Sequence, residues 1–405
     1  MGLSSNIPKH PVDRLPVLLR AQKLKMARSV QAYVRGTTSK FYEWLDSSDG
    51  HKMPEGPPVW ICGDCHMGNL GPVANAEGKI AVQIRDFDQT VIGNPAHDLL
   101  RLGLSLAMAA RGSDLPGITT AHMLEHMMEG YAKGFTEPQD SGVGQTDLPK
   151  MVRRVLREAA GRSWKHLADE RIEGVKPTIP LGPRFWPLEA RERAAIEAQI
   201  STSQIHGLLT SLRGWDDDAE VSLMDAAYWK KGCSSLGLLR YAVLVQVAAP
   251  RGQVRHCLID VKEAATAAAP RNAASAMPRD NAQRVVQGAR ALSPYLGERM
   301  AATRLIDRGV FVRELLPQDL KLEIEDLSQD EAREMARFLS GVVGRAHARQ
   351  MDVSTRAAWL AELERNRSTS LDAPGWLWSS IVELVGAHEE AYLQHCRRYA
   401  LDSAA

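Results

Sequence analysis

Between Leu15 and Leu45 the apolar residues Leu18, Leu19, Leu24, Met26, Val30, Tyr33 and Val34 recur at helical spacing. Arg35-Gly36 interrupts them, so the pattern predicts two helices. The Pro54-Glu-Gly-Pro-Pro58 cluster then breaks the chain before a short strand, Val59-Trp60-Ile61, and a second β-prone run follows over Lys79–Ile84. Residues 96–135 return to helical spacing, with Asp98 expected to cap a helix through Leu99, Leu102, Leu106 and Met108. A polar loop is expected over 137–148, followed by a basic helix from Met151 whose Arg153, Arg154 and Arg157 form a solvated face.

The second half reads differently. Gly232-Cys-Ser-Ser-Leu-Gly237 is a turn of small residues that leads into a β-branched strand, Leu238–Val247. A turn at Pro250-Arg-Gly252 precedes a second strand, His256–Ala264. A helix over Asn281–Leu292, a strand over Gly309–Leu315, a hinge at Leu316-Pro317 and a helical region over 329–399 complete the chain. The pattern predicts an α+β fold in three stretches: a mostly helical 1–225, a small antiparallel sheet in 226–317, and a helical 318–405 that completes the first part.

Composition narrows this only a little. The 405 residues, 44% hydrophobic and 24% charged, suffice for two or three packed units. Fifty basic against forty-nine acidic residues leave a formal charge of +1, so no overall field favours nucleic acid or an anionic membrane. No apolar run approaches the roughly twenty residues of a membrane span. The five cysteines, Cys62, Cys65, Cys233, Cys257 and Cys396, are odd in number and scattered, which points to reduced thiols in a cytoplasm. Met1–Asn6 leads into no apolar signal core.

The chemistry concentrates in Ile61-Cys-Gly-Asp-Cys-His-Met-Gly-Asn-Leu70, Ile84-Arg-Asp-Phe-Asp-Gln89 and Gly93-Asn-Pro-Ala-His-Asp98. Asp64 and Asn69 share a glycine-bracketed loop, and a short hairpin through Lys79–Ile84 brings Asp86 back to them. Phosphoryl transfer needs a carboxylate to orient or deprotonate an acceptor hydroxyl, and hard oxygen ligands for Mg²⁺. Asp64 suits the first role; Asn69 and Asp86, with Asp88 beside them, suit the second. Cys62-Gly-Asp-Cys65-His66 also fits the C-x-x-C-H haem-attachment pattern, which requires export to a haem-attaching compartment. A redox pair of Cys62 and Cys65 would lack a thioredoxin-like βαβ setting. The glycine turn lacks the Gly-Lys-Ser/Thr ending of a P-loop, so a Walker-type nucleotidase is not supported. Its spacing before the strand that ends in Val261-Lys262 instead suits a lysine presented to phosphates.

The Cys62–Asn69 loop resembles the His-Gly-Asp-x-His-x-x-Asn signature of aminoglycoside and choline kinase-like enzymes, with Cys62 in place of the first His. Gly93–Asp98 resembles their Gly-Asp-Pro-x-x-Asp segment, whose last Asp buttresses the loop. The two halves stand in reversed order, which looks like a circular permutation, permissible where chain termini lie close together. The set Ala32-Tyr-Val-Arg-Gly36, Gly63–Gly71, Asp86-Phe-Asp88 with Asp98-Leu-Leu-Arg-Leu102, Asp260-Val-Lys-Glu-Ala264 and, more weakly, Phe311-Val-Arg-Glu-Leu315 resembles the bacterial DUF2252 family, related to the kinase superfamily.

This resemblance implies a bilobal, permuted protein kinase-like fold with a cleft for ATP and Mg²⁺. Asp64, His66 and Arg35 would form the catalytic set, with His66 ordering the loop, Arg35 touching substrate or phosphate, and Arg101 bracing the loop. Asn69, Asp86 and Asp88 would hold the metal; Lys262 and the turn residues Gly232, Ser234, Ser235 and Gly237 would hold the nucleotide. The implied activity is ATP-dependent phosphoryl transfer to a hydroxyl of a small molecule, with nucleotide and acceptor as the partners. A nucleotide-binding pseudokinase and transfer of AMP are the alternatives. Two departures stand out: Cys62 replaces the loop His, and the 281–292 helix offers Lys262 no Glu, only Gln283, Gln287 and the flanking Asp280.

Overall fold

A computed structural model describes residues 7–8, 10–47, 53–136, 148–162, 178–211, 219–249, 254–320, 327–365 and 373–399. The expected loop over 137–148 lies, up to residue 147, outside the described residues, as does the expected turn Pro250-Arg-Gly252. Among the described residues the fold is mixed α+β, with thirteen α-helices and ten strands.

The chain opens with α1 (Pro11–Ala27), α2 (Val30–Gly36) and α3 (Thr38–Ser47). The predicted break at Gly36 is present, and a second one separates α1 from α2. Ser29 makes it, since its hydroxyl caps α2 by accepting from the Ala32 amide at 3.1 Å. Two small hairpins follow: β1 (Val59–Ile61) pairs with β4 (Val91–Gly93), and β2 (Leu70–Ala74) pairs with β3 (Ile80–Ile84). The helix α4 (Ala96–Gly112) is buried around nearly its whole circumference, as its apolar composition dictates. Each of its fully buried leucines contributes about 2 kcal/mol of burial, so α4 is the axis on which the site is mounted. The helical region expected over 96–135 is two helices, α4 and α5 (Gly117–Thr136), parted where Asp114 takes φ +52° and Pro116 ends the turn. Asp98 is not the cap of α4. Pro95 occupies that position, and the Asp98 carboxylate turns back to the Cys62–Asn69 loop.

After α6 (Lys150–Gly161), the second part forms a six-stranded antiparallel sheet. Its strands are β5 (Phe185–Trp186), β6 (Glu220–Trp229), β7 (Arg240–Ala248), β8 (Val254–Glu263), β9 (Met300–Leu305) and β10 (Arg308–Leu315), in the order β5-β6-β7-β8-β10-β9. Strands β7, β8 and β10 lie within two residues of the predicted ones; β6 and β9 were not anticipated. A register shift between Leu223 and Asp225 spoils the alternation that would have marked β6. The expected boundary at residue 226 therefore falls inside a strand.

The sheet has two unlike faces. On the outer one, α7 (Ala190–Ile200) and α8 (Ser203–Ser211) pack Ile196, Ile200, Ile205 and Leu209 against Val243, Val245, Val261 and Val312. On the other, Arg240, Asp260, Lys262 and Arg313 take alternate strand positions and reach toward the helical part, where Lys262 meets Asp88. The helices α9 (Asn281–Leu292) and α10 (Pro294–Gly297) link β8 to β9.

The chain closes with α11 (Gln329–Ala348), α12 (Val353–Glu364) and α13 (Gly375–Tyr399); residues 366–372 of the expected helical region lie outside the described residues. No described helix is long and apolar enough to cross a membrane.

Helices α5 and α11 touch backbone to backbone through Gly130, Gly134, Gly341 and Gly344. A Cβ on Gly130 would stand 1.9 Å from the Arg337 carbonyl oxygen. Gly130→Ala is expected to lower unfolding stability by about 3 kcal/mol in urea titrations, whereas Gly386→Ala, at an open position of α13, is expected to raise it by about 0.5–1 kcal/mol. Equal midpoints for the two variants would contradict this packing.

Candidate functional site

The loop from Cys62 to Asn69 is held from below by a carboxylate. Asp98, fully buried on the first turn of α4, accepts the Cys62 amide at 2.7 Å and the Gly63 amide at 2.9 Å. His347, at the end of α11, lies 3.2 Å from the same carboxylate through Nε2; its Nδ1 is 2.9 Å from the Tyr131 hydroxyl, which accepts from Trp359 Nε1 at 3.0 Å. Burial pushes the Tyr131 phenol far above its ordinary range, so it stays protonated. Trp359, Tyr131, His347 and Asp98 thus form one buried chain of polar contacts ending at the loop. Gly63 completes the seat with φ +72° and the Gln89 carbonyl oxygen 2.2 Å from where a Cβ would stand.

Above this frame, Asp64 is fixed on one side. Its Oδ1 accepts from Arg101 Nε at 2.7 Å, and the wholly buried Arg101 also donates to the Val34 carbonyl at 2.5 Å. Asp64 Oδ2 has His66 Nε2 at 3.9 Å, beyond hydrogen-bond range. Desolvation first, and then the positive charge of Arg35 and Arg101 against the opposing pull of Asp64 and Asp86, brings His66 down to about 4, so its ring is neutral. Asn69 Nδ2 donates to the Asp64 carbonyl at 2.8 Å. The β2–β3 hairpin pairs Leu70 with Ile84, and the Arg85 amide donates to the Asn69 carbonyl at 2.8 Å. That register sets Asp86 one residue beyond the backbone of Asn69, as the sequence suggested.

Lys262 reaches this group from the sheet. It is 3% exposed and contacts both Asp88 Oδ2 and, at 3.5 Å, Asp86 Oδ1. Burial alone would raise both carboxyls. Lys262, Arg313 and Arg240 overcome it at Asp86 and hold that group below its usual range, whereas the neighbouring Asp86 charge adds to burial and leaves Asp88 above it. The strands behind Lys262 carry a second buried cluster. Asp260 accepts from Arg240 Nε at 2.8 Å and from Arg313 Nη2 at 2.9 Å, and those guanidinium groups hold it far below the range of a carboxyl despite its burial.

No group on α9 pairs with Lys262. Gln283 and Gln287 are exposed and Asp280 caps the helix through the Gln283 amide. The helix contributes Arg284, which sequence reasoning passed over. It is buried and donates to the carbonyls of Thr90, Asp88 (3.1 Å) and Ala265 (2.8 Å), tying α9 to the segment that bears the two aspartates. A lone arginine among Ala282, Val285, Val286 and Ala289 on a buried stripe was the available signal.

The glycine turn joins β6 to β7 with Gly232 at φ +98° and Gly237 at φ +106°. Ser234 is exposed. Ser235 is buried and turned inward, its hydroxyl donating to the Lys231 carbonyl at 3.4 Å, which makes it a brace of the turn. Helix α1 holds the turn from outside: Gln22 donates to the Cys233 carbonyl at 3.0 Å and Lys25 to the Gly232 carbonyl at 2.8 Å. Arg35, exposed at the end of α2, lies against Gly68 of the loop, 3.3 Å from where its Cβ would stand, and bears electrostatically on both His66 and Cys233. It stands between loop and turn.

One family model matches residues 14–398. The chain belongs to the DUF2252 family. That family is described as uncharacterized protein conserved in bacteria, and its model spans both the helical part and the sheet of this DUF2252 chain. Comparison with curated proteins gives no match, and comparison with solved structures gives none.

Two measurements check this geometry. Asp98→Ala leaves two buried loop amides and His347 without their acceptor and is expected to cost about 3 kcal/mol of unfolding stability; a loss below about 0.5 kcal/mol would contradict the frame. His66, His97 and His388 are each lowered to about 4 by burial, while the unfolded chain takes up protons near 6.5. The stability they contribute is complete above pH 6.5 and is lost as pH falls from 6.5 toward 4. His66→Gln is expected to reduce the pH dependence over that interval by about one proton, read from urea midpoints between pH 7 and pH 5.

Proposed function

We propose that this protein is a Mg²⁺-assisted, ATP-dependent phosphotransferase acting on a hydroxyl of a small molecule, built on a circularly permuted kinase-like fold. One observation carries the reading: Lys262 of the sheet meets Asp86 and Asp88 of the helical part, beside a loop that presents Asp64 and Asn69. A buried ammonium on a sheet facing carboxylates across a cleft is the arrangement by which kinases hold nucleotide phosphates and their metal.

The permutation has its own support. Gln350, just past α11, brackets β1 by accepting the Trp60 amide at 2.8 Å and donating to the Trp60 carbonyl at 3.0 Å. The segment ending near residue 350 therefore lies beside the strand that opens the loop, where an unpermuted chain would run on directly. Helix α13 packs on α1, with the Tyr392 hydroxyl donating to the Ala27 carbonyl at 3.2 Å, so the first and last helices adjoin.

The residues present fit a hard cation. Asp88 Oδ1 is buried without a hydrogen-bond partner, and Asp86 keeps nearly half of its side chain open. Among the described residues no three His, Cys, Asp or Glu side chains form a metal cage. Mg²⁺ rarely needs one, since it is commonly held by one or two carboxylates together with substrate phosphates. Asp86 and Asp88, with Asn69 beside them, would hold it, and it would neutralise charge on the phosphates. Asp64, anchored by Arg101 at Oδ1, keeps Oδ2 to orient and accept the proton of an acceptor hydroxyl. Lys262 would exchange Asp88 for phosphate oxygens, and Arg35 stands where it would meet an anionic group on the acceptor. The chain from Asp86 enters α4 within ten residues, leaving no long segment on which a polypeptide acceptor would lie.

Calorimetric titration with ATP is expected to show binding that requires Mg²⁺ and is lost in Asp86→Ala. Asp64→Asn is expected to keep binding but to lose at least about 100-fold in phosphoryl transfer to a pool of hydroxylated metabolites. Binding without turnover in the wild type would favour a pseudokinase, and an acceptor heavier by AMP would replace phosphoryl with nucleotidyl transfer. Absence of nucleotide binding would overturn the proposal.

A further inference from the structure

Two side chains without partners meet over Gly68. Arg35, exposed at the end of α2, makes no hydrogen bond and no ion pair among the described residues. Beneath it, His66 is 3% exposed, and its Nδ1 is buried with no hydrogen-bond partner. The point where a Gly68 Cβ would stand is 3.3 Å from Arg35 Cζ and 3.3 Å from both Nδ1 and Cε1 of His66. A side chain there would part the two, so glycine lets the guanidinium lie beside the ring edge that carries Nδ1. The other edge faces Asp64: His66 Nε2 is 3.9 Å from Asp64 Oδ2, the oxygen that Arg101 does not hold. The imidazole therefore spans the distance between the open carboxylate oxygen and the unpaired guanidinium.

Both ends lack a partner that a ligand would supply. A buried ring nitrogen without a hydrogen bond is costly. A neutral imidazole carries one N–H and one bare nitrogen, so Nδ1 either donates to an oxyanion or accepts from a hydroxyl. An unpaired guanidinium presents a fork of donors that matches a carboxylate or a phosphate. The acids that bear on His66 are already matched, Asp64 by Arg101 and Asp86 by Lys262. On the side of Arg35 the neighbouring charge is also positive. Lys25, donating to the Gly232 carbonyl at 2.8 Å, is lowered by burial first and then by the charges of Arg35 and Arg28, against the opposing effect of Cys233; no carboxylate is among these groups. Such a surface draws anions and repels cations. Exposed and unbonded, Arg35 is able to lift from the ring as an oxyanion enters between them.

We infer that the acceptor is an anion, a small hydroxy compound whose carboxylate or phosphate binds Arg35 and His66 Nδ1 while its reacting hydroxyl lies on Asp64 Oδ2. The role of the hydroxyl rests on the proposed phosphotransferase; the anion site at Arg35 and His66 does not. Arg35 thereby sets specificity by charge, and His66 reads the group that joins the anion to the hydroxyl.

The test is a titration of the full chain, free of phosphate and metal, followed by the ¹⁵N signals of the histidine rings, that of His66 being the one lost in His66→Gln. The probes are glycerate, glycerol and 3-amino-1,2-propanediol, which differ at one group that is negative, neutral or positive. Glycerate is expected to move the His66 signal and to bind at least about 10-fold more weakly to Arg35→Gln; the other two are expected to leave the signal in place. Thermal melts check that the variant is folded. With ATP and Mg²⁺, transfer to a pool of hydroxylated metabolites parted on an anion exchanger is expected in the retained fraction. The inference is overturned if glycerate leaves the His66 signal unmoved, if it binds Arg35→Gln as tightly as the wild type, or if the compounds phosphorylated are those the exchanger does not retain. A wild type that binds glycerate in this way yet transfers nothing would count against the phosphotransferase and leave the anion site standing.

Discussion

A buried ammonium has to be neutralised where it lies, and in this protein that requirement joins two halves of the chain. Lys262 is nearly inaccessible on β8, and its carboxylate partners come from a segment 174 residues earlier in sequence. Removing charged groups from water costs several kcal/mol each, repaid only by close opposite charge and hydrogen bonds. The sheet therefore cannot be separated from the Asp86–Asp88 segment without stranding Lys262, and Arg284 adds a second tie by bonding the backbone of that segment to α9. On the proposed function, the two carboxylates that share this ammonium are where a metal ion would be held.

Rigidity around this contact is uneven. Below the Cys62–Asn69 loop, the chain from Trp359 through Tyr131 and His347 to Asp98 is buried throughout. Asp64 is fixed on that base by Arg101. Above it, the side-chain bonds that hold the turn from Gly232 to Gly237 are partly buried or exposed: Ser235 within, Gln22 and Lys25 of α1 and the Ala32 carbonyl without. On the proposed function, a rigid floor under a more lightly held cover would order the reacting groups and still admit a ligand.

Much of this was legible because it is local. Asp64, Asn69 and Asp86 sit within short segments whose turns, strands and spacing are written in adjacent residues, and the 79–84 strand alone suffices to bring Asp86 to Asn69. What escaped was carried by long-range contacts. Asp98 reads as a helix cap until the loop amides it serves are placed beside it. Arg284 reads as an ordinary helical charge until α9 is laid against Thr90. Strand β6 was hidden by its register shift. Lys262 stands out by its place on the strand, but its partner does not, because no local pattern shows that Asp88 lies against it.

The most direct measurement of the central claim is a crystal structure of the protein with Mg²⁺ and a non-hydrolysable ATP analogue. The account predicts a phosphate of the nucleotide between Lys262 and Asp86, the metal on Asp86 and Asp88, and Lys262 released from Asp88 to the phosphate. A nucleotide bound elsewhere, with the contact between Lys262 and Asp88 intact, would contradict it.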